Sequence, residues 1–161
     1  MYVDGPLSYA GYDGDLLLLY QADLPWDDAA ATEKESETHL LRLKPDTLSV
    51  VWNNSGIPAD AAPALIVGST AYVGADGFLG AVDLETGKFR WCLRDLGAVM
   101  GDAFHHVVTP SWSAHQVELD SLPGKDGLRH YLRVDLDKLK VSTDLGTAAP
   151  LRVSRDCPVF R

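Results

Sequence analysis

The chain has no apolar run approaching the about 20 residues that a helix needs to cross a bilayer. Its longest apolar burst, Leu16 to Tyr20, is the length of a strand. No basic start followed by an apolar stretch opens the sequence, so a signal peptide is not expected, and a cytoplasmic location is. Cysteine is scarce: Cys92 and Cys157 are the only two. In a chain long enough to build a core they are expected to be buried and reduced rather than a disulfide framework. Basic residues are also few, 14 Lys and Arg against 23 Asp and Glu, for a net charge of −9. That balance argues against nucleic acid as a direct partner, which needs clustered cations against phosphate. A sustained 3.6-residue apolar stripe is missing too, so a helical fold is not expected.

What is present is strand. The 161 residues suit one domain over 1–161, and 46% hydrophobic against 23% charged residues is ordinary for a protein with a sizeable core. Short alternating or β-branched segments recur, among them "HLLRLK", "TLSVVW", "TAYVGA", "FLGAVDL", "KFRWCL", "HQVELD" and "HYLRVDL". "DG" at 13–14, 76–77 and 126–127, "TG" at 86–87 and "PG" at 123–124 supply turn chemistry between them. The one helical candidate is a short piece over 25–36, where Asp27 and Asp28 could cap it. The fold class is therefore all-β, built from antiparallel meanders.

The strands repeat. "LKPDTLSVVW" (Leu43 to Trp52) aligns without gaps on "VDLETGKFRW" (Val82 to Trp91), 39 residues later, with the tryptophans in register. A third copy, "VDLDKLKVST" (Val134 to Thr143), follows after 52 residues and has lost the tryptophan. The best copy sits in "AYVGADGFLGAVDLETGKFRW", Ala71 to Trp91. Its ending places Ala81, Asp83, Thr86, Gly87, Lys88 and Trp91 in an A-x-D-x-x-T-G-K-x-x-W pattern. This stretch resembles the blade repeat of pyrroloquinoline-quinone (PQQ) type β-propellers, most clearly over 71–91. The resemblance implies four-stranded blades, a Thr-Gly turn between the last two strands, and a tryptophan packed between neighbouring blades, the role carried onto Trp91 and Trp52. It divides the chain into units over about 1–57, 58–98 and 99–150, with a leftover strand in 151–161. Three blades are fewer than the about four to eight of closed propellers, so a partial or compact propeller-like arrangement is expected.

Catalytic apparatus is hard to find. The histidines at 39, 105, 106, 115 and 130 lack zinc spacing, and adjacent strand residues such as His105 and His106 point to opposite faces. Asp102, His105 and His115 could be brought together only by the fold, and surface or half-buried strand histidines are the expected outcome. Neither a G-x-S-x-G elbow nor a phosphate loop occurs. "GADGFLG" at 74–80 serves a hairpin, and "NNS" at 53–55 reads as a chance glycosylation match. The PQQ family builds its cofactor site with calcium at the centre of a full ring, often beside a Cys-Cys pair that this chain lacks. The repeat also occurs in proteins that bind no quinone, including scaffolds of outer-membrane assembly. It reports a blade and no cofactor, so no cofactor, no metal and no enzymatic activity are expected.

The charge is lopsided. Residues 1–60 hold 11 acids and 3 bases, whereas residues 61–161 hold 12 acids and 11 bases. Much of the excess sits in "ADLPWDDAAATEKESETH", where Asp23, Asp27, Asp28, Glu33, Glu35 and Glu37 surround a single Lys34. The segment occupies a hairpin position filled by "DG" in the second unit, and long extra loops on β scaffolds often carry function. Trp26 in its midst is an apolar anchor of the kind enriched at binding hot spots. The expectation is a non-catalytic binding protein of immunity type, whose acidic surface neutralises a basic partner such as a bacterial toxin. The alternative is a self-associating propeller-like scaffold, a homodimer in its simplest form. A quinone or metal enzyme comes last.

Overall fold

The computed structural model describes residues 3–23, 36–58, 64–75, 78–94, 107–113, 115–121, 127–143, 154 and 157. All regular structure among them is strand. Twelve strands form three separate four-stranded antiparallel sheets, each a meander in chain order. The first holds β1 (Val3–Tyr12), β2 (Asp15–Asp23), β3 (Ser36–Leu43) and β4 (Val50–Ile57). The second holds β5 (Leu65–Val67), β6 (Thr70–Ala75), β7 (Phe78–Asp83) and β8 (Phe89–Leu93). The third holds β9 (Val107–Trp112), β10 (Gln116–Ser121), β11 (Tyr131–Asp135) and β12 (Lys140–Thr143). These are the three propeller-like meanders expected from the repeat, and they do not close into a ring.

Alternation explains the strands. In β2, Leu17 and Leu19 are buried while Leu16 and Leu18 are half-buried; in β11, Leu132 and Val134 are buried between half-buried Tyr131, Arg133 and Asp135. The central pair reads differently. Ala71, Val73, Ala75, Phe78, Leu79, Ala81 and Val82 are all buried, which is the continuous apolar pattern of a sheet covered on both faces. The main core joins the first two sheets, with Leu17, Leu19, Leu40 and Ile57 packed with Ala71, Val73, Phe78, Val82 and Leu84. Inside it, Gly80 makes room for an edge-to-face pair of Phe78 and Phe89, centroids 5.8 Å apart, because a Cβ there would lie 2.7 Å from the Phe89 ring.

The repeat has a backbone signature. The turn before each unit's last strand puts one residue in the left-handed region at the same position: Leu48 (φ 53°), Gly87 (φ 69°) and Leu139 (φ 52°). The amide nitrogens of Leu48 and Gly87 donate to the carbonyls of Lys44 and Asp83, both at 2.8 Å. The Asp83 carboxylate accepts from the amides of Glu85 and Thr86, and Asp135 does the same for Asp137 and Lys138. The Thr-Gly turn lies between the last two strands of its sheet, as the resemblance implies. A bulge follows in the two units that keep the tryptophan. Arg42 pairs with Trp52 and Leu43 with Val50, leaving Val51 extra; Ala81 pairs with Trp91 and Val82 with Phe89, leaving Arg90 extra. In the third unit Arg133 faces Ser142 and Val134 faces Val141, with no extra residue. Bulges re-aim side chains, and here the bulge and the tryptophan are present or lost together.

The cysteine expectation fails. Cys92 and Cys157 form a disulfide with Cα atoms 6.0 Å apart. The physical reason lies at the end of the chain. Ser154 forms an antiparallel bridge with Cys92, their backbones exchanging hydrogen bonds of 2.9 and 3.0 Å, and this brings Cys157 to the edge of β8. Of the strand expected in 151–161, this bridge is the described part. The short helix expected over 25–36 lies outside the described residues, apart from Ser36, which opens β3. Among the described residues no helix is long and apolar enough to cross a membrane.

Candidate functional site

Two features of the first sheet stand out: the acidic connection at one end and a polar joint to the second sheet at the other. The acidic segment joins β2 to β3. Their pairing ends with Ala22 opposite Glu37 and Asp23 opposite Ser36, so Asp23 and Glu37 stand at one end of the sheet on neighbouring strands. The intervening positions Trp26, Asp27, Asp28, Glu33 and Glu35 lie outside the described residues. Their strand supports are well ordered by sequence: β2 and β3 pair continuously from Leu16–Leu43 to Asp23–Ser36 without a register shift. A long acidic insertion is thus carried on the most regular pair of the first sheet.

At the opposite end the chain turns through Asp13 and Gly14, both at positive φ, the two-residue hairpin geometry that an Asp-Gly pair favours. Just past it, Asp15 points inward and is buried beside Arg42, which occupies an inward position of β3 after Thr38 and Leu40. The Arg42 guanidinium donates from Nε to Asp15 Oδ2 at 2.7 Å and from Nη1 to the Leu84 carbonyl of the second sheet at 2.9 Å. It lies over the Tyr12 ring at 5.0 Å and reaches Glu85 at 3.3 Å. Lys44 closes the other side of Asp15 at 2.7 Å, and the Tyr12 hydroxyl donates to Glu85 at 2.6 Å. The charges are therefore matched, as buried ions must be.

Titration follows from these contacts. The hydrogen bond from Lys44, aided by Arg42, holds the Asp15 carboxyl below its usual range despite burial. Glu85 is lowered by its hydrogen bond from Tyr12 and then by Arg42, while the same bond pushes the Tyr12 hydroxyl up. Burial works against the Arg42 charge, but Asp15 and Glu85 outweigh it and raise its pKa. Every group in the cluster is committed to a neighbour. Its chemistry is that of a structural fastening between sheets, not of an acid–base pair waiting for substrate.

The tryptophans complete the joint. Trp52 donates from Nε1 to the same Leu84 carbonyl at 3.0 Å, and its ring lies on the backbone of Gly87. Asn54 adds a bond to the Gly87 carbonyl at 2.8 Å. Trp52 is thus the residue seen to pass between neighbouring sheets. Trp91 is half-buried against Tyr72 of its own sheet, centroids 6.1 Å apart, with the small Ala81 between them in register. Sequence reasoning missed Arg42 and Asp15. The signal was available: both are charges at inward positions of an alternating strand, and such a residue must have a buried partner.

The histidines do not converge in the described part. His115 contacts Asp137 at 3.0 Å on the surface, His39 stacks on Tyr20 and contacts Asn53 at 3.1 Å, and His130 is buried. Asp102, His105 and His106 lie outside the described residues. Among the described residues no group of three or more His, Cys, Asp or Glu is placed to hold a metal ion. Compared with known proteins, the chain matches no family model and no curated protein sequence.

Proposed function

We propose that the chain is a non-catalytic protein-binding module whose acidic first unit meets a basic partner, in the manner of an immunity-type inhibitor of a cationic toxin. One observation carries the reading. Eleven acids against three bases fall in residues 1–60, and the acidic connection joins β2 to β3 at the end of the sheet opposite the paired Asp15, Arg42 and Lys44. Carboxylates on such a connection would stand in for the phosphates that a cationic cleft normally holds, with Trp26 as apolar anchor. The Arg42–Asp15 fastening and the Trp52 joint then act as scaffold, holding the first sheet rigidly on the second.

The compartment belongs to the same proposal. The sequence favours the cytoplasm, but a paired Cys92–Cys157 favours an oxidising compartment, where disulfides persist. A module working outside the cytoplasm would meet a secreted toxin there. The test is affinity capture with the wild-type chain and with a variant carrying amides at Asp23, Asp27, Asp28, Glu33, Glu35 and Glu37. A basic protein held by the wild type alone, its affinity falling steeply with salt, supports the reading. Equal, salt-insensitive retention by both removes the acidic surface from the mechanism.

A further inference from the structure

Three open sheets have six edge strands, and unpaired edges invite association unless they are blunted. Five are. β1 carries Asp4 and Pro6, and β9 carries Pro110. β5 has only three residues, and β12 has four, opening on Lys140. β8 contains Arg90 and is covered by the Ser154 bridge and the disulfide. β4 differs in length and composition, although it is bulged at Val51 and shifts register again between Asn54 and Ile57. Its eight residues, "VVWNNSGI", include no charge and no proline. Among the described residues no backbone group pairs with its outer side, and Val50, Val51 and the preceding Leu48 are 59%, 43% and 66% exposed.

We infer that the β4 edge is an association surface, and that its occupant is β4 of a second copy of this chain. Charge selects the occupant. A strand without acids offers nothing to a basic partner, while in a chain of net charge −9 a neutral strand is where two copies can approach. Elimination sets the geometry. Among the described residues β4 is the one edge of this length without charge or proline, so a copy best meets it with its own β4, an isologous contact that closes at a dimer. The pairing is antiparallel, because the acidic β2–β3 connection lies at the Ile57 end of β4. Antiparallel strands send the two acidic ends to opposite sides, whereas parallel strands would set them side by side. The result is one eight-stranded sheet, with Val50 and Val51 of each copy beside the Ile57 end of the other's β4.

The test is light scattering on a sizing column up to about 1 mM protein, with amide exchange recorded in parallel. The wild type is expected to move with concentration towards twice the 17.5 kDa of one chain, while exchange slows over 50–54. Val50→Glu with Val51→Glu, at exposed positions that leave the core untouched, is expected to weaken association at least about a hundredfold, because pairing the edge would take two unpartnered charges out of water. Val67→Glu, exposed on β5, is the control and is expected to leave the dimer intact. A wild type that stays at 17.5 kDa throughout overturns the inference. So does a dimer that survives the β4 double variant, or one that forms without slowing exchange in β4.

Discussion

Gly87 is the position at which the joint between the first two sheets can be broken most selectively. Replacing it with alanine has two consequences. The backbone there sits at φ 69°, and an L-residue held in the left-handed region costs about 1–2 kcal/mol. The new Cβ would also lie 2.5 to 2.7 Å from the Trp52 ring, closer than any real contact, so the indole must move and its bond to the Leu84 carbonyl is strained. Overpacking of this kind costs about 1–3 kcal/mol. Together Gly87→Ala is expected to destabilise the protein by about 2–5 kcal/mol, read as a lower urea midpoint at unchanged slope. The two contributions separate in a double-mutant cycle with Trp52→Ala. Without the indole, only the backbone cost of about 1–2 kcal/mol should remain. If Gly87→Ala costs the same with and without Trp52, the ring does not rest on this turn and the account of the joint is wrong. Leu48→Gly supplies the opposite sign. Leu48 holds the same left-handed conformation at 66% exposure, so glycine should be neutral or slightly stabilising there.

Removing the disulfide by Cys92→Ser with Cys157→Ser should cost roughly 4 kcal/mol, from the chain entropy released by a 65-residue separation. Denaturation of the wild type with and without dithiothreitol checks it, and an identical midpoint would mean the thiols are not paired. The polar cluster gives stability a dependence on pH at both ends. Asp15 and Glu85 have folded pKa values below their unfolded ones, so their contribution is complete above the ordinary carboxylate range and is lost as pH falls through the lowered values. Tyr12 is raised above its ordinary 10.0, so its contribution is present below that value and is lost as pH rises through the folded pKa. Tyr12→Phe should therefore reduce the alkaline loss, Tyr72 keeping its own share because burial raises its pKa too, and soften the acid one. Unfolding midpoints across the pH range, for both chains, show whether it does.

The architecture was legible because its signals are local. Alternation in "HLLRLK" and "HYLRVDL" and the turn pairs at Asp13–Gly14 and Thr86–Gly87 each act within a few residues, and all three meanders fall where those patterns put them. The repeat alignment was legible for the same reason, and the left-handed residues at 48, 87 and 139 carry it into the backbone even where glycine has been replaced. Long-range pairings were not. Nothing near Cys92 or Cys157 announces that the chain end returns to β8, since that depends on the path of everything between. That Trp52 spans two sheets was equally hidden: Trp52 and Trp91 sit in matching motifs and share a bulge, and they differ in the described turn that the following unit presents. After Trp52 comes a turn with Gly87; the equivalent turn after Trp91 carries Leu139. Of the candidate site, Asp23 and Glu37 are placed at the sheet end by strand pairing, and the rest of the acidic segment is known by sequence alone.

The Cys92–Cys157 bond also decides how the molecule transmits force. A pull on the two ends runs through the first two sheets to Cys92, crosses the sulfurs, and leaves through the last few residues. The third sheet lies inside the covalent loop so formed and carries none of that load. Stretched in oxidising buffer, the chain would withhold roughly 220 Å of its length, at about 3.4 Å per residue over the 65-residue separation. A reductant would return that length in full. The third sheet is thus a passenger mechanically: opening it would not slacken the tether between the first unit and the residues after Cys157.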